Sequence, residues 1–71
     1  MNRTMLQGQL ARAERHVLEG ERRVARQREI VAALTGDAQE FGRAKALLEK
    51  FEQIQDLYIA DRDRLRKGLG L

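Results

Sequence analysis

Leu34-Thr35-Gly36-Asp37-Ala38-Gln39-Glu40 is the stretch on which the fold turns. Gly36 can adopt the left-handed conformation that closes a helix without a Cβ penalty, and Thr35 follows the last apolar residue of a long periodic segment. Asp37 is placed to accept from the first free amides of a new helix. Glu40, three residues on, completes an acidic version of the capping box. A stop and a start therefore coincide within Thr35-Gly36-Asp37. So short a connection makes the two flanking helices antiparallel neighbours.

Working outward from that turn, the N-terminal segment carries apolar or small residues at Leu6, Leu10, Ala13, Val17, Gly20, Val24, Val31 and Leu34, with Gln27 in the one polar slot. Steps of four and three alternate, which is the rhythm of a helix packed along its whole length. Thr4 and Gln7 match a capping box at its start, and the residues before Thr4 are expected to fray. On the other side of the turn the stripe is Phe41, Ala44, Leu47, Leu48, Phe51, Ile54, Tyr58 and Leu65, with Leu57 and Ile59 beside it. Gly68 offers a glycine stop, after which Leu69 can fold back toward Leu65. The expectation is an all-α, antiparallel two-helix hairpin in a single domain of residues 1–71: helix 5–34, turn 35–37, helix 38–67, with positive φ at Gly36. Folding about Gly36 pairs residues whose numbers sum to roughly 72, setting Val31 near Phe41, Val24 near Leu48, Val17 near Ile54 or Gln55, and Leu10 near Arg62. Because the apolar signal thins into Asp61-Arg62-Asp63-Arg64, the open end is expected to be the wettest part.

Seventy-one residues in two helices enclose little. Ordering each residue costs about 1.5 kcal/mol, so a lone hairpin gains little net stability from its one apolar face. Leu18, Ile30, Leu47, Leu57 and Ile59 also widen the stripes beyond what one partner helix covers. Self-association is the expected remedy: a homodimer in which two hairpins form a four-helix bundle, with Val17, Val24, Val31, Phe41, Leu48, Phe51 and Tyr58 as the dimer core.

Cysteine and proline are both absent. The first removes disulfides and thiolate metal sites, and the second suits long uninterrupted helices. No apolar run is long enough to span a bilayer, and the N-terminus lacks the apolar core of a signal peptide, so the chain reads as cytoplasmic with no membrane partner. The net charge of +3 is unevenly spread: residues 1–34 hold seven Arg against four Glu, whereas residues 35–71 balance seven basic against seven acidic side chains. Arg12, Arg15, Arg22 and Arg26 fall on one broad side of the first helix, with Arg23 close by, and form a candidate interaction band for an acidic protein. Phosphate contacts through this band are the alternative reading, a small basic accessory factor that binds nucleic acid through helix one. Glu14, Glu19, Glu21 and Glu29 interleave with the band, and neither a recognition-helix turn nor a stacking aromatic accompanies it, which weighs against nucleic acid.

Catalytic chemistry finds no foothold. His16 is the sole histidine; the pairing rule sets it beside Glu52 or Asp56, too few ligands for a metal and no activated nucleophile. The carboxylates form no recognisable acid/base pair. The expectation is a non-enzyme with no cofactor and no metal: a self-associating protein-interaction module.

The phrases Ala13-Glu14-Arg15-His16-Val17, Gly20-Glu21-Arg22-Arg23-Val24-Ala25-Arg26-Gln27-Arg28-Glu29-Ile30-Val31, Ala46-Leu47-Leu48-Glu49-Lys50-Phe51-Glu52 and Tyr58-Ile59-Ala60-Asp61-Arg62-Asp63-Arg64-Leu65 resemble a group of short, uncharacterised alphaproteobacterial proteins. The likeness runs from about Ala13 to Leu65. It implies a helical hairpin of unknown function with no catalytic or binding residue to carry over. Arg23 and Tyr58 stand where the group often has histidine.

Overall fold

The computed structural model describes residues 2–71 and contains two helices, α1 (Arg3–Ala33) and α2 (Ala38–Gly68), packed against each other. Their cross-contacts run in opposite directions along the chain: Gln27 reaches Ala44, Val17 meets Gln55, and Glu14 meets Arg66. The pair is therefore antiparallel. Leu34 caps α1 with its amide on the Ile30 and Val31 carbonyls, and Gly36 follows at φ 88°. The Asp37 carboxylate then accepts from the amides of Gln39 (2.9 Å) and Glu40 (3.2 Å), satisfying two donors that the first turn of α2 would otherwise leave open.

Both outer ends differ from the expected ones. α1 starts at Arg3 because Asn2, and not Thr4, is the N-cap: its side-chain oxygen accepts from the Thr4 amide at 2.8 Å. Asn is at least as good a cap as Thr, and starting there adds two residues to the helix. Of the residues expected to fray, Met1 lies outside the described residues, whereas Asn2 is the cap and Arg3 is helical. At the other end Gly68 is still helical, and Gly70 (φ 78°) makes the reversal. The Leu71 amide donates to the Arg66 carbonyl (2.9 Å) and the Gly70 amide to the Lys67 carbonyl (3.1 Å). These are the two crossed bonds of a Schellman closure, with Gly70 supplying the left-handed residue. Arg66 and Lys67 in the last turn face the partial negative charge of the helix end.

The reversal carries Leu69 back over the open end, where it packs with Leu10, Ala13 and Leu65 into a cluster of buried apolar side chains. The open end thus holds a buried apolar cluster where the sequence suggested the wettest part, although Met5 and Leu71 beside it are exposed. Asp63 and Arg64 are exposed, Asp61 and Arg62 only partly so, while Leu65 and Leu69 lie on the inner row; the charges that thin the apolar signal belong largely to outer faces. At the turn end, by contrast, Phe41 and Ile30 are each 40% exposed.

The rod is slender. Its principal extents are 54 × 15 × 14 Å and its radius of gyration is 16.1 Å, against about 11 Å for a compact chain of this length. Its accessible surface is 5500 Å² for 8.2 kDa. A folded monomer of that mass exposes about 4,500 Å², so the hairpin shows on the order of 1,000 Å² more than usual.

Candidate interaction surfaces

The seam between the helices is not uniformly apolar. Leu10, Ala13, Val17 and Val24 are buried from α1, but two glutamines are buried with them. Each glutamine crosses the seam to a main-chain carbonyl of the other helix: Gln27 Nε2 donates to Ala44 O and Gln55 Nε2 to Val17 O, both at 2.9 Å. Each is accommodated by a small residue opposite. Gly20 is the extreme case, since a Cβ built there would lie 1.7 Å from Gln55 Oε1 and 2.7 Å from its Cδ. The Gln55 amide fills the space where an alanine methyl would be. Its Oε1 is buried without a conventional donor among the described residues and faces the Gly20 Cα hydrogens, a weak Cα–H···O contact.

The two edges of the seam differ. Along one edge Arg66 donates to Glu14 (3.2 Å) and Arg28 approaches Glu52 (4.0 Å). All four side chains are two-fifths or more exposed, so these pairs set register more than they stabilise, at about 0–1 kcal/mol each. The opposite edge carries no interhelical ion pair among the described residues. There the Arg23 guanidinium lies 5.7 Å from the Phe51 ring centroid, and His16 packs on Tyr58 with ring centroids 5.1 Å apart. His16 is thus exposed and paired with an aromatic ring, not beside Glu52 or Asp56 as the pairing rule suggested. The rule misses because it places residues by height along the rod, whereas Glu52 belongs to the other edge, with Arg28. Among the described residues no three metal-ligating side chains come together, and no helix is long and apolar enough to cross a membrane.

The residues expected to form a dimer core are divided by the fold. Val17 and Val24 are buried in the seam within one chain, Val31, Leu48, Phe51 and Tyr58 are half-buried there, and Phe41 is exposed. The Arg band stays on the surface: Arg12, Arg15, Arg22, Arg23 and Arg26 are all exposed, and none joins an ion pair among the described residues. Arg23 alone has a tertiary contact, through Phe51.

A further row was not singled out in the sequence. Leu57 (69% exposed) and Leu47 (41%) stand on α2 with half-buried Ile54 between them. Together with the polar residues before and after them they repeat at steps of three and four from Glu40 to Arg64, about a quarter turn round the helix from the seam. The signal was present in the spacing, but it is masked by the seam's own period running alongside it.

Comparison with protein-family models, with curated proteins and with solved structures finds no match.

Proposed function

We propose that this chain is a self-associating helical module: two hairpins dimerise into a four-helix bundle, and the unpaired arginines of α1 serve as its outward docking band for an acidic protein. The observation that carries the reading is the surplus surface. A specific interface removes about 800 Å² from each partner, and the hairpin exposes on the order of 1,000 Å² more than a monomer of its mass. That surplus includes the large apolar side chains of Leu18, Ile30, Phe41, Leu47 and Leu57, each 40% or more exposed. No side chain among the described residues is fully buried within the monomer, so association supplies an interior that one hairpin lacks. Association as a symmetric pair is the simplest closed solution, because a twofold uses the same patch twice and leaves no open end.

Sedimentation equilibrium at micromolar concentration tests this reading. A mass near twice 8.2 kDa is the expected result. A monomeric mass with undiminished helicity refutes it.

A further inference from the structure

Within that reading, the structure also points to where the second copy binds and which way round it lies. We infer that the outer row of α2, from Glu40 to Arg64, packs against the same row of a second copy, the two α2 helices running antiparallel about a twofold axis at the height of residue 52.

The row matches itself only in that orientation. About an axis at residue 52, Leu47 faces the second copy's Leu57, and Lys50 lays its aliphatic stem along Ile54 while its ammonium stays at the rim. Beyond this apolar centre, Arg43 faces Asp61 and Glu40 faces Arg64. Every charged residue outside the centre meets its opposite, and the twofold makes each pair occur twice. A parallel twofold would instead set Glu40, Arg43, Lys50, Asp61 and Arg64 each against its own copy, a like-charge contact at every polar position. Asp61 and Arg64 already form an ion pair within one helix, so the open-end cluster needs only the incoming Arg43 to become a network.

The exposure pattern fits the same occupant. Leu57 at 69% and Leu47 at 41% exposed are, with Phe41 at the turn end (40%), the large apolar residues of α2 that the hairpin itself covers poorly, and Leu47 and Leu57 lie symmetrically about residue 52. The row spans about 36 Å at 1.5 Å per residue, most of the length of the rod. The rival self-complementary surface is the row on α1 that contains Ala11, Leu18, Ala25 and Ala32. Of its charged members Glu14, Glu21 and Arg28, Glu14 and Arg28 are already committed to Arg66 and Glu52, leaving Glu21. It has fewer charges left to recruit a second copy.

This inference rests on self-association, and the experiment separates the two. Leu57→Glu and Leu18→Glu change exposed side chains, so circular dichroism should show unchanged helicity for both. In sedimentation, Leu57→Glu should weaken the dimer at least a hundredfold and Leu18→Glu less than threefold. Direction is tested by mixing Arg43→Glu with Asp61→Arg. Each variant alone sets like charges together twice, whereas the mixed pair restores opposite charges at both positions. Native mass spectrometry should therefore show the heterodimer at more than its statistical half share and each variant alone largely monomeric. A wild-type dimer that Leu18→Glu dissociates and Leu57→Glu leaves intact would overturn the placement while sparing self-association. A statistical mixture, or strong pairing of Arg43→Glu with wild type in preference to Asp61→Arg, would overturn the antiparallel axis. A wild-type monomer would overturn both.

Discussion

Replacing Gly20 by alanine is expected to reverse its effect according to what stands at position 55. In an exposed helix interior Gly→Ala stabilises by about 1 kcal/mol, because alanine loses less backbone freedom on folding. At Gly20 the new methyl would lie 1.7 Å from Gln55 Oε1 and 2.7 Å from Cδ, closer than atoms approach, so the Gln55 side chain must leave the seam. It then gives up its 2.9 Å bond to the Val17 carbonyl, worth about 1 kcal/mol net. It also re-exposes two methylenes at about 0.8 kcal/mol each. The losses come to about 2.5 kcal/mol against a gain of about 1, so Gly20→Ala should destabilise the hairpin by about 1.5 kcal/mol. In a Gln55→Ala background the methyl meets no amide. There the same substitution should stabilise by about 1 kcal/mol, a coupling of about 2.5 kcal/mol between the two positions. Urea unfolding followed by circular dichroism on the four proteins of the cycle measures it, all at one protein concentration because association adds to apparent stability. Equal stabilisation by Gly20→Ala in both backgrounds would refute the idea that Gly20 exists to admit the Gln55 side chain.

The other expectations are smaller in scope. Gly36→Ala should cost about 1–2 kcal/mol, because φ 88° is a region that L side chains enter at that penalty; Gly8→Ala, with open space around its Cα, should gain up to about 1 kcal/mol, and the same urea titrations would show a shared sign if the turn geometry is misjudged. Phe51→Ala should cost about 2 kcal/mol, below the 3–5 of a fully buried phenylalanine, since the ring is only half-buried under Arg23; thermal unfolding checks it, and a loss under 0.5 kcal/mol would show the ring to be peripheral. For the Arg band, fluorescence anisotropy with labelled duplex DNA at about 0.15 M salt should give binding no tighter than the nonspecific 10⁻⁴ to 10⁻⁶ M range. Submicromolar binding abolished by replacing Arg15, Arg22 and Arg26 together would favour the nucleic-acid alternative over a protein-docking surface.

The hairpin was legible because its signals are local. Alternating steps of three and four mark both seams, and Gly36 followed by Asp37 states where one helix stops and the next begins. What stayed hidden depends on the register between helices. Gln27 and Gln55 read in one dimension as gaps in an apolar stripe. They become interhelical donors only once Ala44 and Gly20 are known to stand across from them, leaving room for an amide and a path to a carbonyl. The buried cluster at the open end is hidden for a related reason: the charges of Asp61 to Arg64 lower the apolar average of that segment, but burial follows the face a residue occupies, and Leu65 and Leu69 keep to the inner row. The outer row of α2 was present in the sequence as well. In the sequence Leu47 and Leu57 belong to one broad stripe, and only the structure divides that stripe into a covered half and an exposed half.

That division bears on how a chain with two sticky rows on one helix avoids pairing them at random. The inner row of α2 contains Gln55, whose side chain fits only opposite a residue lacking a Cβ. Gly20 meets that requirement, and no other residue of the α1 inner row does. Setting the inner row of α2 against another copy of itself would bury Gln55 against side chains with its amide unpaired, at a cost of about 1–3 kcal/mol for each orphaned group. Buried polar residues are known to fix the register and partner of helix pairs at some expense in stability, and the crossed glutamines have the right placement for it: one from each helix, both ending on main-chain oxygens of the other helix. The outer row has no such lock. It is apolar at its centre and charged at its ends, and therefore suited to a second copy that arrives already folded. On this account the glutamine layers secure the hairpin first, and the self-complementary charges from Glu40 to Arg64 then select what the folded hairpin accepts.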